Sequence, residues 1–250
     1  MRWLKLTLAY DGTRYAGWQT QVDQTTLQGT LEVAVGRVCG ERIRVAGSGR
    51  TDAGVHALGQ VASFSTNSRL PADTLCRAFN AQLPHDMAVL SVDEVPHGFH
   101  ARRDAVRKVY RYHIDNGAVP DLFARHYRWH VRGPLDADAM ARAAGPLTGR
   151  HDFRSFEASG GRRRSSLRTV SRLDVTCRPK SGGHEICFDV QANGFLYNMV
   201  RNLVGTLVEV GRGRRSEAWP TEVLGAHDRR QAGPTAPPQG LFLVRVDYEP

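Results

Sequence analysis

The chain has 250 residues, 41% of them hydrophobic, and a formal net charge of +9. That length allows one large domain or two smaller ones with true cores, and the charge favours a polyanionic partner. Cys39, Cys76, Cys177 and Cys187 form no C-x-x-C pair, and the ten histidines show no ligand spacing. Neither a disulfide framework nor structural zinc is implied, and reduced thiols in a cytosolic protein are expected.

The opening "MRWLKLTLAYDG" breaks its apolar residues with Lys5 and Asp11, so it is neither a signal peptide nor a membrane span. Leu4, Leu6, Leu8 and Tyr10 alternate instead, as on one face of a strand. Leu27, Leu31, Ala34, Val35 and Val38 then recur at helical spacing, with Thr25 and Gln28 as a capping box and Gly40 as the stop. Short strands at Arg42–Ala46 and Gln60–Ser65, a helix over Ala72–Gln82 and a strand at Met87–Glu94 complete a first half, residues 1–105.

A second half, 106–250, opens in the same way. "RKVYRYHIDNG" (107–117) matches "RWLKLTLAYDG" (2–12) as a basic alternating strand ending in an Asn-Gly or Asp-Gly turn. Asp136 caps a helix through Ala144, and strands follow at Arg168–Arg178 and Glu185–Ala192. A long helix is predicted over Gly194–Val210, where Leu196, Met199, Val200, Leu203, Val204, Leu207 and Val208 form one stripe. A short helix at Thr221–His227 and a strand at Gly240–Tyr248 end the chain. Strand–helix–strand units with mostly antiparallel pairing argue an α+β fold with two sheet-based halves.

"AGSGRTDAGVHALGQ" (46–60) sets four glycines around one acid, Asp52. A dinucleotide loop starting at Gly47 would need its third glycine where Asp52 stands, and the Gly-Lys-Ser/Thr ending of a P-loop is missing. Two readings remain: a turn former, or an acid whose small neighbours let a bulky substrate approach, with Arg50 pointing at the same ligand or pairing with it. Tyr110 and Tyr112 share a strand face with Ile114. Such aromatics pack a core or stack a splayed base, and for Tyr112 core packing is preferred. Arg201 falls at the edge of its helix's apolar stripe, where an arginine snorkels or, at a cleft wall, pairs with a carboxylate. "SGGRRRSSLR" (159–168), with Arg162, Arg163 and Arg164, and "GRGRR" (211–215) are basic loops that suit phosphate contact or plain solvation. His151 and Asp152 are adjacent without an accompanying nucleophile.

"YDGTRYAGWQ", "GSGRTDAGVHALGQV", "RKVYRYHI", "GRHDFRSF", "NGFLYNMVRNLVG" and "DRRQAGPTAPPQGL" resemble, in that order, the motifs of the tRNA pseudouridine synthase A family, across nearly the whole chain. The Glu157–Leu167 stretch with its triple arginine departs from that pattern. The resemblance implies a pseudouridine synthase fold: two RRM-like (ferredoxin-like) halves joined in a mostly antiparallel curved sheet with a central cleft. It implies isomerisation of uridine to pseudouridine in the tRNA anticodon arm at positions 38, 39 and 40, with no cofactor and no metal, by a cytoplasmic homodimer with no membrane association. It carries Asp52 onto the catalytic nucleophile, Tyr110 onto the active-site tyrosine and Arg201 onto the basic residue that serves the aspartate. It carries Arg50 onto the arginine that holds the target base out of the stack, and Leu196 onto an apolar wall of the pocket. Attack on the uracil ring and attack on the ribose both remain open. The rival readings are a non-catalytic RNA-binding protein with no need of Asp52, and a nucleoside glycosidase, for which paired carboxylates are expected.

Overall fold

Leu4, Leu6, Leu8 and Tyr10 are buried along β1 (Arg2–Tyr10), as their alternation predicts. The computed structural model describes residues 1–160 and 165–249, and the chain divides into two units. The first is Met1–Val106 with the C-terminal stretch from Phe242, and the second is Arg107–Leu241.

In the first unit α1 (Leu27–Cys39) starts one residue later than the sequence suggests. Thr26 is the N-cap, its hydroxyl accepting from the Gly29 N–H at 3.3 Å, and Gly40 ends the helix in the left-handed region at φ 70°. No capping box forms, because Gln28 is used elsewhere: its amide donates to the Val45 carbonyl at 3.2 Å, while Glu32 accepts from the Val45 N–H at 3.0 Å. These two bonds explain why the expected strand over Arg42–Ala46 shrinks to β2 (Ala46–Gly47). Val45 has its backbone satisfied by helix side chains and needs no ladder.

β3 (His56–Thr66), α2 (Ala72–Gln82) and β4 (Met87–Val95) follow. β1 lies between β4 and β3, antiparallel to both, and β2 pairs with β3. The order β4-β1-β3-β2 with α1 and α2 as crossovers is the ferredoxin-like pattern of an RRM. Phe64 meets Phe79 of α2 edge-on at 6.4 Å, linking sheet to helix in a core with Leu27, Leu31, Val35 and Leu75. The last strand, β10 (Leu241–Tyr248), pairs in parallel with the start of β3 at Phe242↔His56 and so counts with this unit, not with the 106–250 half.

The second unit is also built on an antiparallel sheet with helices. β5 (Ala105–Gly117), β9 (Gly183–Ala192), β8 (Leu167–Lys180) and β7 (Gly149–Asp152) are neighbours in that order and antiparallel. The expected Asn-Gly turn is absent. β5 continues through Asn116 and Gly117, and Asn116 donates its amide to the carbonyls of Val131 and Gly133, holding β6 (Trp129–Val131) in parallel. α3 (Ala137–Ala144) is capped by Asp136, as predicted. α4 (Met199–Gly211) begins five residues later than predicted, and α5 spans Trp219–Ala226. Tyr112, Ile114, Phe153, Phe156, Phe188, Leu203 and Leu207 are fully buried.

Candidate active site

The 46–60 stretch is held in place rather than loose. At the far end of β2 a Cβ on Gly47 would sit 2.5 Å from the Trp18 indole, so only glycine lets that ring lie against the chain. The Trp18 backbone N–H donates to the Thr51 carbonyl at 3.0 Å. The Asp52 backbone carbonyl accepts the Val55 N–H at 3.1 Å across a turn whose third residue, Gly54, has φ +76°, the conformation such a turn requires there.

Beneath this turn lies a buried polar network. Gln60, 0% exposed on β3, donates from Nε2 to the Gly49 carbonyl at 3.0 Å and to the Tyr10 hydroxyl at 3.3 Å. Its Oε1 accepts from the Ser48 hydroxyl at 2.6 Å and from the Val61 N–H at 3.1 Å. The Val61 N–H can only donate, which fixes the oxygen end of the amide. Tyr10 in turn shares a 2.9 Å hydrogen bond with Thr51, and burial pushes its hydroxyl up to about 12. Asp52 itself is half-buried and Arg50 is exposed. Gly47 thus serves close approach and Gly54 a positive φ.

In the second unit Tyr110 is 8% exposed, faces Val190 across the ladder and meets the Phe195 ring edge-on at 5.0 Å. In the sequence Phe195 reads as one more apolar residue of a helix. Tyr112 has the core role expected of it: it is fully buried and donates its hydroxyl to the Pro237 carbonyl at 2.7 Å, and burial raises its pKa. Leu196 is buried, but it precedes α4 rather than lying on it.

The helix starts late because Asn198 takes the left-handed conformation at φ 58°, which asparagine tolerates better than most residues. Its Oδ1 accepts from Nη1 of Arg201 at 3.0 Å, and Arg201 Nε donates to the Ala236 carbonyl at 2.7 Å. The "DRRQAGPTAP" stretch is thereby explained, since it clasps α4. The fully buried Asn202 accepts from Arg229 at 3.0 Å and from Thr235 at 2.7 Å, and donates to the Phe156 carbonyl at 2.8 Å. Thr206 accepts the Gly233 N–H at 3.0 Å, and a Cβ on Gly205 would lie 1.7 Å from the Pro234 carbonyl oxygen. Burial lowers the Arg229 pKa.

The remaining candidates take local roles. Arg212 and Arg214 of "GRGRR" pair with Glu209 at 2.7 and 3.3 Å, and Arg215 lies over Trp219 at 4.8 Å. Asp152 pairs with Arg154 at 3.3 Å, and His151 contacts the Thr148 carbonyl at 2.7 Å. Arg162, Arg163 and Arg164 lie outside the described residues. Among the described residues one group has metal-ligand chemistry that spacing did not reveal. His113, Glu185 and Cys187 are joined by strand pairing, with their donor atoms within 4.8 Å, but Arg128 stands 3.1 Å from Glu185 and opposes a cation there.

A family model described as tRNA pseudouridine synthase matches residues 7–104 and 143–249. The chain belongs to that family. It is 54% identical over 248 residues to tRNA pseudouridine synthase A of Moorella thermoacetica, covering 98% of this chain and 99% of that one. It is 50% identical to the protein of the same name from Brevibacillus brevis, covering 99% and 100%, and 46% identical to that from Myxococcus xanthus, covering 98% and 91%. The family's matched segments contain Arg50, Asp52, Leu196 and Arg201. Tyr110 falls between them, in a stretch spanned by the full-length relatives.

Proposed function

We propose that the chain isomerises uridine to pseudouridine in the tRNA anticodon arm, at positions 38, 39 and 40, with Asp52 as nucleophile. The observation that carries this reading is near-full-length identity of 54% to a tRNA pseudouridine synthase A, together with an acid on a turn locked from below. In the reaction the C1′–N1 bond of uridine breaks and a C1′–C5 bond forms, while C5 loses a proton and N1 gains one. The base has to leave the helical stack before it can turn over. Asp52 attacks the ring or the sugar and holds the fragments together covalently. Arg50 fills the vacated stack. Tyr110 stacks on uracil and takes part in moving the C5 proton, and Leu196 provides an apolar wall. Arg201 is the cation that keeps the nucleophile ionised. Arg162, Arg163 and Arg164 contact phosphate, consistent with the +9 charge.

The enzyme works as a homodimer in the cytoplasm. Exposed apolar residues support a second copy: Val119, Leu122 and Phe123 are 75%, 65% and 93% exposed on one loop, a surface that association would cover. Four unpaired cysteines suit a reducing compartment, and no helix among the described residues is long and apolar enough to cross a membrane. Release of tritium from C5 of labelled uridine in tRNA tests the reaction directly. Isomerisation releases the label and yields pseudouridine. A binding protein releases none, and a glycosidase frees uracil without losing the C5 label.

A further inference from the structure

We propose that Gln60, backed by Tyr10, is a positioning residue for Asp52; the inference rests on Asp52 being the nucleophile. The residues on the N-terminal side of Asp52 are tied one by one to this pair. Ser48 donates its hydroxyl to Gln60, Gly49 offers its carbonyl to Gln60, and Thr51 meets the Tyr10 hydroxyl, at 2.6, 3.0 and 2.9 Å. Gln60 is fully buried, and its amide has four partners, two on each end. A buried amide is costly unless it is paired, and a methionine or leucine of similar size would fill the space without that demand. What the amide adds is direction. It fixes the Gly49 peptide and, through Tyr10, the Thr51 side chain, one on each side of Arg50 and the second next to Asp52. A displacement of about 1 Å at a reacting group can cost on the order of 10²-fold in rate, so a loop carrying a nucleophile gains from rigid tethers.

The experiment measures single-turnover pseudouridine formation on a full-length tRNA transcript from pH 6 to 9, with tRNA affinity and Tm, for wild type, Gln60→Met, Gln60→Glu and Asp52→Asn. Gln60→Met is expected to slow turnover by about 10²-fold while affinity stays within about three-fold. Gln60→Glu carries a sharper signature. As a neutral acid it keeps one O–H donor and a carbonyl acceptor; ionised, it sets a charge against the Gly49 carbonyl. Its rate should approach wild type at the acidic end and fall roughly ten-fold or more, relative to wild type, at the alkaline end. Tyr10, the titratable group in contact with Gln60, stays protonated throughout because burial holds it at about 12. If Gln60→Met does not fold, the Gln60→Glu profile decides. A Gln60→Met enzyme at the wild-type rate, or a Gln60→Glu profile parallel to wild type, overturns the positioning role while leaving Asp52 in place. An Asp52→Asn enzyme that keeps its rate overturns the nucleophile and the positioning role together.

Discussion

Arg201 and Ala236 hold each other twice: the guanidinium Nε donates to the Ala236 carbonyl at 2.7 Å, and the Ala236 N–H donates to the Arg201 carbonyl at 3.1 Å. With Asn198 on Nη1, the side chain is fixed at two points before any substrate arrives. A planar cation held at its edge presents the remaining N–H groups in one orientation, which a lysine cannot reproduce.

Arg201→Met therefore tests the cation's proposed service to the nucleophile. An opposite charge lowers a carboxyl pKa, so removing it should raise that of Asp52. The acidic limb of the pH–rate profile should move to higher pH, with activity lost first on the acidic side. A fall of equal size at every pH would instead assign Arg201 to packing.

Tyr110 can be dissected because the roles proposed for its ring and its hydroxyl are separable. Tyr110→Phe keeps the ring that meets Phe195 edge-on and removes the hydroxyl, the proposed proton carrier. Single-turnover rates should drop by about 10²–10⁴-fold with tRNA affinity little changed, as for loss of a general acid–base group. Tyr110→Leu should in addition weaken binding by about 1–3 kcal/mol, the usual worth of a base–aromatic stack. A lower Tm without a selective catalytic defect would make Tyr110 a core residue only.

Much of the fold is written in local pattern. The alternation of Leu4, Leu6 and Leu8, the Asp136 cap and the Gly40 stop each depend on a few adjacent residues and appear where predicted. The misplacements come from distant partners. Residues 194–198 continue the apolar spacing of α4, but Asn198 turns into the left-handed region where its side chain meets Arg201, and the helix cannot extend back through it. The Arg42–Ala46 strand fails because Gln28 and Glu32 reach across to Val45. In the site, Asp52 is conspicuous among glycines. Gln60, by contrast, looks like an ordinary polar residue of a strand, because nothing near it in sequence announces four buried partners. Phe195, Asn202 and Arg229 are equally silent until the C-terminal stretch is folded onto α4.

Lys180 sits 2.5 Å from the buried Asp115, which also accepts the Asp121 N–H at 2.9 Å. Burial works to raise the Asp115 pKa, but the Lys180 and Asp121 contacts together hold it below the ordinary carboxylate value. A depressed folded-state pKa contributes stability that is present above the unfolded value, near 4, and is lost as pH falls through the folded one. Lys180→Met should therefore lower stability by about 1–3 kcal/mol at pH 7 by stranding a buried carboxylate. The gap in Tm to wild type should close as the pH drops below about 4. A gap independent of pH would mean that only the lysine's packing was lost.

The most direct test of the account is tritium release from 5-labelled uridine in tRNA by Asp52→Asn, measured beside tRNA affinity. The amide keeps the shape of the carboxylate but is no nucleophile. Release should vanish while affinity stays within a few-fold of wild type, because the turn at 52–55 is built from backbone bonds that asparagine retains. Pseudouridine formation near the wild-type rate by Asp52→Asn would contradict the account.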